Sequence, residues 1–449
     1  MPSNRSIEQG NKLSLEAVVD KAFNCEDYFL LWGPPGSGKT SFFIRELIEK
    51  ILLKTDENIL LMAYTNRAVD ELCEVLENIN KKSDYIRVGS RYGAKAIFQN
   101  RLYDFKVSTL NSRKEIKDLI SNTRIFVGTV SSIHGKKELF KLKSFDTIII
   151  DEASQILESN IIGMLSRFKR FIMVGDHLQL PSVSTQNEDS TKIENTDLKD
   201  LGFSTLNESL FERLLRQCKN NNWSHAYDML HKQGRMHEDI MDFPSKYFYD
   251  GNLELIDSNI HSRQKAKLSD RFTKVSISSL SNVLKNQRTI FISENSTETG
   301  ASSKSNFAEA KIVVELIKEL SHLYLENNLE WDHNTCGIIT PYRVQISTIN
   351  ALLKENSIDH LPITIDTVER YQGSARDIII ISTCVKSISQ LEQISSLNKD
   401  SVDRKLNVAL TRAKEQVILV GNKSILSQSP IYSKLIQEYE EAFLDFQDS

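Results

Sequence analysis

Short apolar runs alternate along the chain with longer stretches in which apolar residues recur every three or four positions. Continuous apolar runs are typical of parallel strands buried on both faces, and the longer spacing is typical of helices that bury one face. Strands that alternate with helices indicate an α/β fold with parallel sheets. The runs that predict strands are Tyr28–Trp32, Asn58–Ala63, Ile125–Val130, Thr147–Ile150, Phe171–Val174, Thr289–Ile292, Gly337–Ile339 and Ile378–Ser382.

The first predicted strand is followed by a glycine-rich loop of the form G-x-x-x-x-G-K-[ST]. Its glycines let the backbone turn N–H groups onto phosphate oxygens, and the next helix adds the positive end of its dipole. Lys39 is expected to reach the β- and γ-phosphates of ATP, and Thr40 to hold Mg²⁺. The nucleotide-binding residues predicted here are Gly33, Pro34, Pro35, Gly36, Ser37, Gly38, Lys39, Thr40 and Ser41. The following helix is expected to bury Phe42, Phe43, Leu47, Ile48, Ile51 and Leu52 on one face.

Two adjacent carboxylates, Asp151 and Glu152, directly follow the apolar run that ends at Ile150. Asp151 is predicted to hold Mg²⁺, and Glu152 to orient and deprotonate an attacking water. Two acids at this place could also be the start of a helix, but the preceding phosphate loop favours the catalytic interpretation. Gln179 follows a later strand and is expected to sense the γ-phosphate.

Thr65, Asn66 and Arg67 follow the second predicted strand. Open α/β sheets bind ligands at the carboxyl ends of their strands, so Thr65 and Asn66 could donate to a phosphate backbone. Threonine and asparagine are also good helix caps, and the sequence leaves both interpretations open.

Basic and aromatic residues interleave between residues 85 and 120. This mixture suits single-stranded nucleic acid, but a solvated surface arm has the same composition. We predict two domains. The first covers residues 1–219, with residues 85–120 as an inserted arm, and the second covers residues 220–449.

Composition changes this picture little. The chain has 449 residues, of which 40% are hydrophobic and 26% charged, and its formal net charge is −4. A mildly acidic protein can still carry a local basic groove, so nucleic acid is not excluded. We see no apolar stretch near the roughly 20 residues of a membrane helix and no signal-peptide core, so no membrane partner is expected and the predicted location is cytoplasmic. The five cysteines form no C-x-x-C pair, which argues against a zinc or iron–sulfur site.

The motifs, in their order, resemble those of superfamily 1 helicases. The nearest branch is the one typified by the nonsense-mediated-decay RNA helicase and the Okazaki-fragment nuclease-helicase. The resemblance covers roughly residues 25–425 and implies two RecA-like domains with ATP in the cleft between them, together with 5′-to-3′ movement on single-stranded DNA or RNA. The segments that carry it are the phosphate loop, TNRAVDEL (65–72), DEAS (151–154), GDHLQLP (175–181), SLFERLL (209–215), QGRMH (233–237), TVERYQGSARD (367–377) and RKLNVALTRAK (404–414).

The same resemblance implies roles for residues of the second half. Arg235 and Arg412 correspond to arginine fingers that reach the γ-phosphate, where a planar guanidinium suits the charge of the transferring phosphoryl group. Gly373 is added to the predicted nucleotide site. The predicted nucleic-acid contacts are Thr65, Asn66, Arg67, Thr129, Pro341, Tyr342, Arg343 and Thr367.

Three positions depart from the family pattern. Gly234 stands where the family usually has a tyrosine that stacks on the base, and Ala375 stands where it has a glutamate near the nucleotide sugar. Glu369 replaces an aspartate. Because base and sugar recognition look weakened, we expect broad nucleotide use.

Two functions remain open at this point. One is a translocase that unwinds or moves along nucleic acid; the other is an ATP-gated clamp or switch that controls a partner such as a nuclease. Only about 32 residues precede the phosphate loop, too few for the accessory barrel usual in relatives, which favours the switch. Glu152 and both arginines favour hydrolysis in either case. The motifs do not choose between DNA and RNA, because they encode no contact to a 2′-hydroxyl.

Overall fold

The computed structural model describes residues 13–79, 84–184, 186, 189–256, 261–274, 279–294, 304–397 and 402–442. The chain divides into two compact units. The first comprises the described residues up to His177 together with Pro181–His231, and the second comprises Leu178–Leu180 and the described residues from Lys232 onward. Each unit has its own parallel sheet, which confirms the predicted α/β class. Within the described ranges, no helix has the length and apolar character needed to cross a membrane.

The first unit is built on seven strands. They are β1 (Tyr28–Trp32), β2 (Ile59–Ala63), β3 (Tyr85–Val88), β4 (Ile125–Thr129), β5 (Thr147–Asp151), β6 (Arg170–Gly175) and β7 (Tyr227–Met229). All pair in parallel, in the order β3-β4-β2-β5-β6-β1-β7. The carboxyl ends of β1, β2, β4 and β5 therefore lie along one edge of the sheet.

The helices of the first unit begin mostly at side chains that cap them. Ser14, Thr65, Ser112, Thr129, Asn195 and Ser209 each accept a hydrogen bond from a backbone N–H of the first helical turn. The helices are α1 (Leu15–Phe23), α2 (Arg45–Lys54), α3 (Asn66–Glu77), α4 (Tyr103–Ser108), α5 (Arg113–Asn122), α6 (Val130–His134), α7 (Leu139–Leu142), α8 (Ile162–Leu165), α9 (Thr196–Asp200) and α10 (Leu210–Asn220). Apolar residues of α1, α2 and α3 form one core cluster with residues of β1, β2 and β4.

A wide π-type turn over Lys39–Ile44 precedes α2. The N–H groups of Phe42 and Phe43 both bond to the carbonyl of Gly38, at 2.9 and 3.2 Å. The wider turn shifts the helical register, so Phe43 and Ile44 are buried while the Phe42 side chain is 43% exposed. The prediction that Phe42 belongs to the buried face is therefore wrong, and the other five residues of that face are buried or partly buried.

The first residues of the predicted arm belong to the sheet. Tyr85–Val88 is the buried edge strand β3, and Arg87 on it forms an ion pair with Asp70 of α3. Three of the more exposed basic residues that follow are also paired with carboxylates of the same unit: Lys95 with Glu74, Arg101 with Glu77 and Asp84, and Lys106 with Asp84, at distances of 2.6–3.0 Å. Their charge is largely balanced within the unit.

The second unit has a six-stranded parallel sheet and a separate two-stranded pair. The strands are β8 (Lys232–Gln233), β9 (Glu254–Leu255), β10 (Thr289–Ser293), β11 (Cys336–Ile339), β12 (Thr364–Asp366), β13 (Arg376–Ser382), β14 (Ala413–Gly421) and β15 (Glu440–Ala442). The larger sheet has the order β12-β11-β13-β14-β10-β15, and β8 pairs with β9.

Eleven α-helices accompany these strands in the described part of the second unit. They are α11 (Glu238–Phe248), α12 (His261–Lys265), α13 (Leu268–Arg271), α14 (Ser279–Asn286), α15 (Phe307–Glu326), α16 (Arg343–Glu355), α17 (Val368–Tyr371), α18 (Ile388–Ile394), α19 (Arg404–Leu410), α20 (Lys423–Leu426) and α21 (Pro430–Glu438). The long helix α15 buries the face predicted from its spacing, formed by Ile312, Val313, Leu316, Ile317 and Leu320.

A buried carboxylate joins the start of α15 to the end of β13. Glu309 accepts hydrogen bonds from the Ser382 hydroxyl at 2.7 Å and from the Cys384 N–H at 2.9 Å. Burial raises the pKa of Glu309 to about 7, although these hydrogen bonds oppose the shift, and the nearby Glu294 raises the pKa further.

Candidate nucleotide and nucleic-acid sites

The phosphate loop connects β1 to the turn that begins at Lys39. Gly36 and Gly38 have left-handed φ angles of 75° and 76°. A side-chain carbon at Gly38 would lie 2.4 Å from the Phe42 ring, so both conformation and space require glycine there. The N–H of Gly33 donates to the carbonyl of Gly175 at 2.9 Å, which ties the start of the loop to the end of β6.

Lys39 and Glu152 meet at the carboxyl edge of the sheet. The Lys39 ammonium lies 3.1 Å from a Glu152 carboxylate oxygen. Burial alone would lower the pKa of Lys39, but the carboxylates of Glu152 and Asp151 outweigh it and raise the pKa. Glu152 has a left-handed φ of 51°, which is unusual for a non-glycine residue and is often found at functional sites. Gln155 donates to its second oxygen at 3.1 Å.

Thr40 and Asp151 form a second contact beside the first. The Thr40 hydroxyl donates to an Asp151 carboxylate oxygen at 2.6 Å. Burial, and then the charge of Glu152, raise the pKa of Asp151 to about 6 against the opposing charge of Lys39. A hydroxyl and a carboxylate are hard oxygen donors of the kind that Mg²⁺ takes together with nucleotide phosphates. These two residues therefore fit the predicted metal.

Two further acids, Asp176 and Glu71, act on this site, and neither has a role predicted from the sequence. The carboxylate of Asp176 contributes to the raised pKa of Lys39, and Asp176 is oriented by the Trp32 indole N–H at 3.0 Å. Burial raises the pKa of Glu71 on α3, and the charge of Glu152 adds to the shift. Both residues lie inside segments that carry the family resemblance, GDHLQLP and TNRAVDEL, which is the signal that could have found them.

Comparison with known proteins adds independent information to this geometry. Two protein-family models, each described as an AAA domain, match the chain, one over residues 206–424 and the other over residues 9–110 and 98–187. A DNA replication ATP-dependent helicase/nuclease of Arabidopsis thaliana is 30% identical over 430 residues, covering 94% of this chain and 29% of that protein. A DNA replication ATP-dependent helicase/nuclease of Bos taurus is 31% identical over 438 residues, covering 93% of this chain and 38% of that protein.

The chain belongs to the superfamily 1 helicases. It spans about a third of the length of these two helicase/nuclease relatives. Among solved structures, the arterivirus nonstructural protein 10 helicase in complex with DNA is similar at 13% identity and a TM-score of 0.44, covering 94% of this chain and 65% of that one.

Gln179 and Arg412, both predicted to act at the γ-phosphate, are brought together in the second unit. Gln179 lies in the tripeptide Leu178–Leu180, which packs with that unit, and its side-chain oxygen accepts from the Arg412 guanidinium at 2.9 Å. Arg412 is 2% exposed and also donates to the carbonyl of Val408 at 3.2 Å. The sequence placed Gln179 in the first domain, whereas its packing places it with the second unit.

Arg235 lies in the loop between β8 and α11, and other side chains donate hydrogen bonds to the backbone of this loop. The Arg235 guanidinium donates to the carbonyl of Thr411 at 3.1 Å. Arg263 of α12 donates to the carbonyls of Gly234 and Arg235 at 3.0 and 2.8 Å. Gln264 donates to the carbonyls of Gln233 and Met236 at 3.0 and 2.8 Å. Neither Arg263 nor Gln264 belongs to a motif, so sequence reasoning had no signal for them.

In the first unit, the predicted nucleic-acid residues lie at neighbouring strand ends, because Ala63 of β2 pairs with Thr129 of β4. Thr65 and Thr129 both cap helices, accepting from the N–H groups of Ala68 and Ser132 at 3.1 Å. Thr65 is exposed and Thr129 is buried. The capping role is thus present, and a contact with nucleic acid stays a prediction.

The corresponding residues of the second unit also share one edge, because Ile339 of β11 pairs with Asp366 of β12. Tyr342 and Thr367 directly precede helices but make no side-chain cap hydrogen bond. Pro341 and Tyr342 line a cavity of about 270 Å³, and Arg343 is exposed. Gly373 has a left-handed φ of 78°. The roles of these four residues and of Gly373 stay predictions.

Proposed function

We propose that this chain is an ATP-dependent motor that hydrolyses ATP with Mg²⁺ and moves 5′-to-3′ along single-stranded DNA. The observation that carries the proposal is the pair of contacts at the end of the phosphate loop, Thr40 with Asp151 at 2.6 Å and Lys39 with Glu152 at 3.1 Å. They bring together side chains suited to three tasks: Lys39 to bind phosphate, Thr40 and Asp151 to hold Mg²⁺, and Glu152 to act as general base. The names of the helicase/nuclease relatives support DNA as the polymer.

Each residue of this group has a distinct task in hydrolysis. The phosphate loop and Lys39 bind and orient the phosphates. Thr40 and Asp151 would hold Mg²⁺, which supplies charge stabilisation at the phosphate oxygens when bound. Glu152 accepts the proton of the attacking water, and Gln155 keeps its carboxylate oriented through a 3.1 Å hydrogen bond. Arg235 and Arg412 would stabilise charge on the transferring phosphoryl group.

The test is phosphate release by the purified protein without nucleic acid, with single-stranded DNA and with single-stranded RNA, beside Glu152→Gln. The expected result is stimulation by DNA and a loss of about 100-fold or more in the variant, since a general base contributes about 10²–10⁴-fold. Stimulation by RNA alone would contradict DNA as the polymer. Hydrolysis that is indifferent to both polymers would contradict the motor and favour a switch that needs a protein partner.

A further inference from the structure

A large charged cavity lies in the second unit, at the edge of the sheet opposite the predicted nucleic-acid residues. Its volume is about 700 Å³. Arg288 directly precedes β10, and Asp377 and Lys414 are the second residues of β13 and β14, so the cavity lies where these parallel strands begin. The charged residues that line it are Arg263, Lys267, Arg271, Arg288, Lys414, Asp270, Asp377 and Glu415.

Two carboxylates at the cavity are each shared between two cations. Glu415 binds Arg263 at 3.0 Å and Arg288 at 2.9 Å. Asp377 binds Arg271 at 3.1 Å and Lys414 at 3.4 Å. These six groups therefore carry an excess of two positive charges.

Nearby groups do not remove this excess. Lys267 and Asp270, both exposed, balance each other in charge. Asp239 approaches Arg288 only at 3.9 Å and its side chain is 59% exposed. Arg288 itself is 5% exposed, and burial lowers its pKa although Glu415 opposes the shift. The close counter-charge of Arg288, Glu415, is shared with Arg263, so an anion that enters the cavity meets positive charge that is not fully balanced.

The donor set indicates which anion fits. Guanidinium groups present N–H pairs that match phosphate oxygens, and three of the five cations are arginines. The volume is within the range of about 300–1,000 Å³ that is usual for ligand pockets. We propose that this cavity binds a phosphate-bearing anion.

Arg263 connects the cavity to the loop that carries Arg235. One of its terminal nitrogens binds Glu415 at the cavity, and the other donates to the carbonyls of Gly234 and Arg235. An anion in the cavity competes with those carbonyls for the Arg263 donors and loosens the loop. The expected consequence is a lower kcat for ATP hydrolysis. This consequence rests on the proposed function, whereas binding of the anion does not.

The first experiment measures binding of inorganic pyrophosphate to the full chain carrying Lys39→Ala, by isothermal titration calorimetry. The substitution removes the cation of the phosphate loop, so remaining binding reports another site. We expect one site whose affinity falls at least tenfold when Arg271→Gln is added and by a smaller factor with Lys267→Gln on the exposed rim. Lys318→Gln changes a half-exposed lysine on α15 of the same unit, which is not among the residues that line the cavity, and as the matched control it should leave the affinity unchanged.

Absence of binding to the Lys39→Ala protein, or binding that neither Arg271→Gln nor Lys267→Gln weakens, would overturn the proposal. Thermal unfolding of each variant checks that it is folded. Adding a short single-stranded oligonucleotide distinguishes the sources of phosphate. Loss of pyrophosphate binding identifies a nucleic-acid backbone as the occupant, and unchanged binding identifies a small phosphate compound.

The second experiment measures steady-state hydrolysis of ATP with added pyrophosphate. Pyrophosphate at the phosphate loop raises KM, and pyrophosphate at the cavity lowers kcat. We expect Arg271→Gln to abolish the effect on kcat and to keep the effect on KM. An effect on kcat that survives Arg271→Gln would overturn the link to the Arg235 loop. Absence of hydrolysis in the unmodified protein would instead contradict the proposed function.

Discussion

Individual residues of the nucleotide site are fixed by backbone conformations that few side chains adopt. Gly38 is left-handed and lies against the Phe42 ring, and Glu152 is left-handed directly after β5. A non-glycine residue in this conformation costs on the order of 1–3 kcal/mol, so the surrounding structure must hold it. At Glu152 the ion pair with Lys39 and the hydrogen bond from Gln155 supply part of that restraint.

Gly38→Ala tests how strictly the loop conformation is required. The added carbon meets the Phe42 ring at 2.4 Å and the φ of 76° is unfavourable for alanine, so we expect ATP affinity to fall at least about tenfold, which is ~1.4 kcal/mol. Equilibrium binding of a fluorescent ATP analogue measures this. Gly163→Ala on α8 is the control, because nothing lies within 4 Å of the added carbon. An unchanged affinity in Gly38→Ala would show that the loop adapts.

Glu309 predicts a pH dependence of stability. Its pKa is raised by burial from 4.5 to about 7 in the folded chain, so the folded state binds the proton more tightly than the unfolded state. The free energy of unfolding therefore falls as pH rises from about 4.5 to 7, by on the order of 3 kcal/mol, and this loss is complete above pH 7.

The measurement for Glu309 is urea unfolding at pH 5.5 and pH 8 for the unmodified chain and for Glu309→Gln. The amide does not titrate and keeps acceptor capacity for the Ser382 hydroxyl, so the difference between the two pH values should shrink in the variant. An equal difference in both proteins would show that other groups control this pH range.

At the scale of elements, the sequence predicts strands and helices well where one contact pattern dominates. The continuous apolar runs that predict β1, β5 and β6 come from burial on both faces, and their short length favours strands over buried helices. Two site residues are located by these runs, because Lys39 lies in the loop that follows β1 and Asp151 ends β5. Phe42 is mispredicted because a π-type turn, which depends on the Gly38 backbone, shifts the register after the loop.

Other elements depend on contacts between distant segments, which no local pattern records. Tyr85–Val88 is strand-like in sequence and forms β3, but the sequence does not show that the charge of Arg87 is balanced by Asp70 of α3. Gln179 packs with the second unit through Arg412, 233 residues further along the chain. Arg263 and Gln264 hold the Arg235 loop from a five-residue helix with no motif.

Asp70→Asn tests the attachment of β3 to α3. Arg87 is 1% exposed, so removing its partner leaves a buried unpaired charge, and we expect a loss of about 3–5 kcal/mol in the free energy of unfolding. Chemical denaturation measures the loss. Glu71→Gln, the neighbouring acid on the same helix, is the control. The double variant Arg87→Met/Asp70→Leu should recover most of the stability, and failure to recover would point to the hydrogen bond from Arg87 to the Gly93 carbonyl.

At the scale of the whole molecule, the departures from the family pattern bear on which nucleotide is used. Gly234 is not required by space, because a side-chain carbon there would meet only Ile256, at 3.6 Å or more. Its carbonyl, rather than a side chain, is what Arg263 contacts. Gly234 has no side chain that could stack on a base, although the space around it would admit one. We therefore expect selection among purine nucleotides to be weak.

We therefore expect similar hydrolysis rates with ATP and GTP. We also expect a lower KM when an aromatic ring is placed at position 234. Gly234→Tyr should lower the KM for both nucleotides by about tenfold, since stacking of a base on an aromatic ring contributes ~1–3 kcal/mol. Steady-state kinetics with each nucleotide measure this. Gly234→Leu, which adds apolar bulk without a π-face, should change KM less. Strict dependence on ATP in the unmodified chain would contradict the expectation.

The packing of Leu178–Leu180 with the second unit has a consequence for how this chain can be divided. The backbone passes between the units three times, after His177, after Leu180 and after His231. A genetic split at 231/232 would leave the second unit without the Leu178 carbonyl that accepts from Asn407 at 2.7 Å and without the Gln179 side chain that accepts from Arg412. The two units are therefore not independent domains joined by a single linker. A chimaera or a recombination event that preserves the second unit must also carry this tripeptide of the first half.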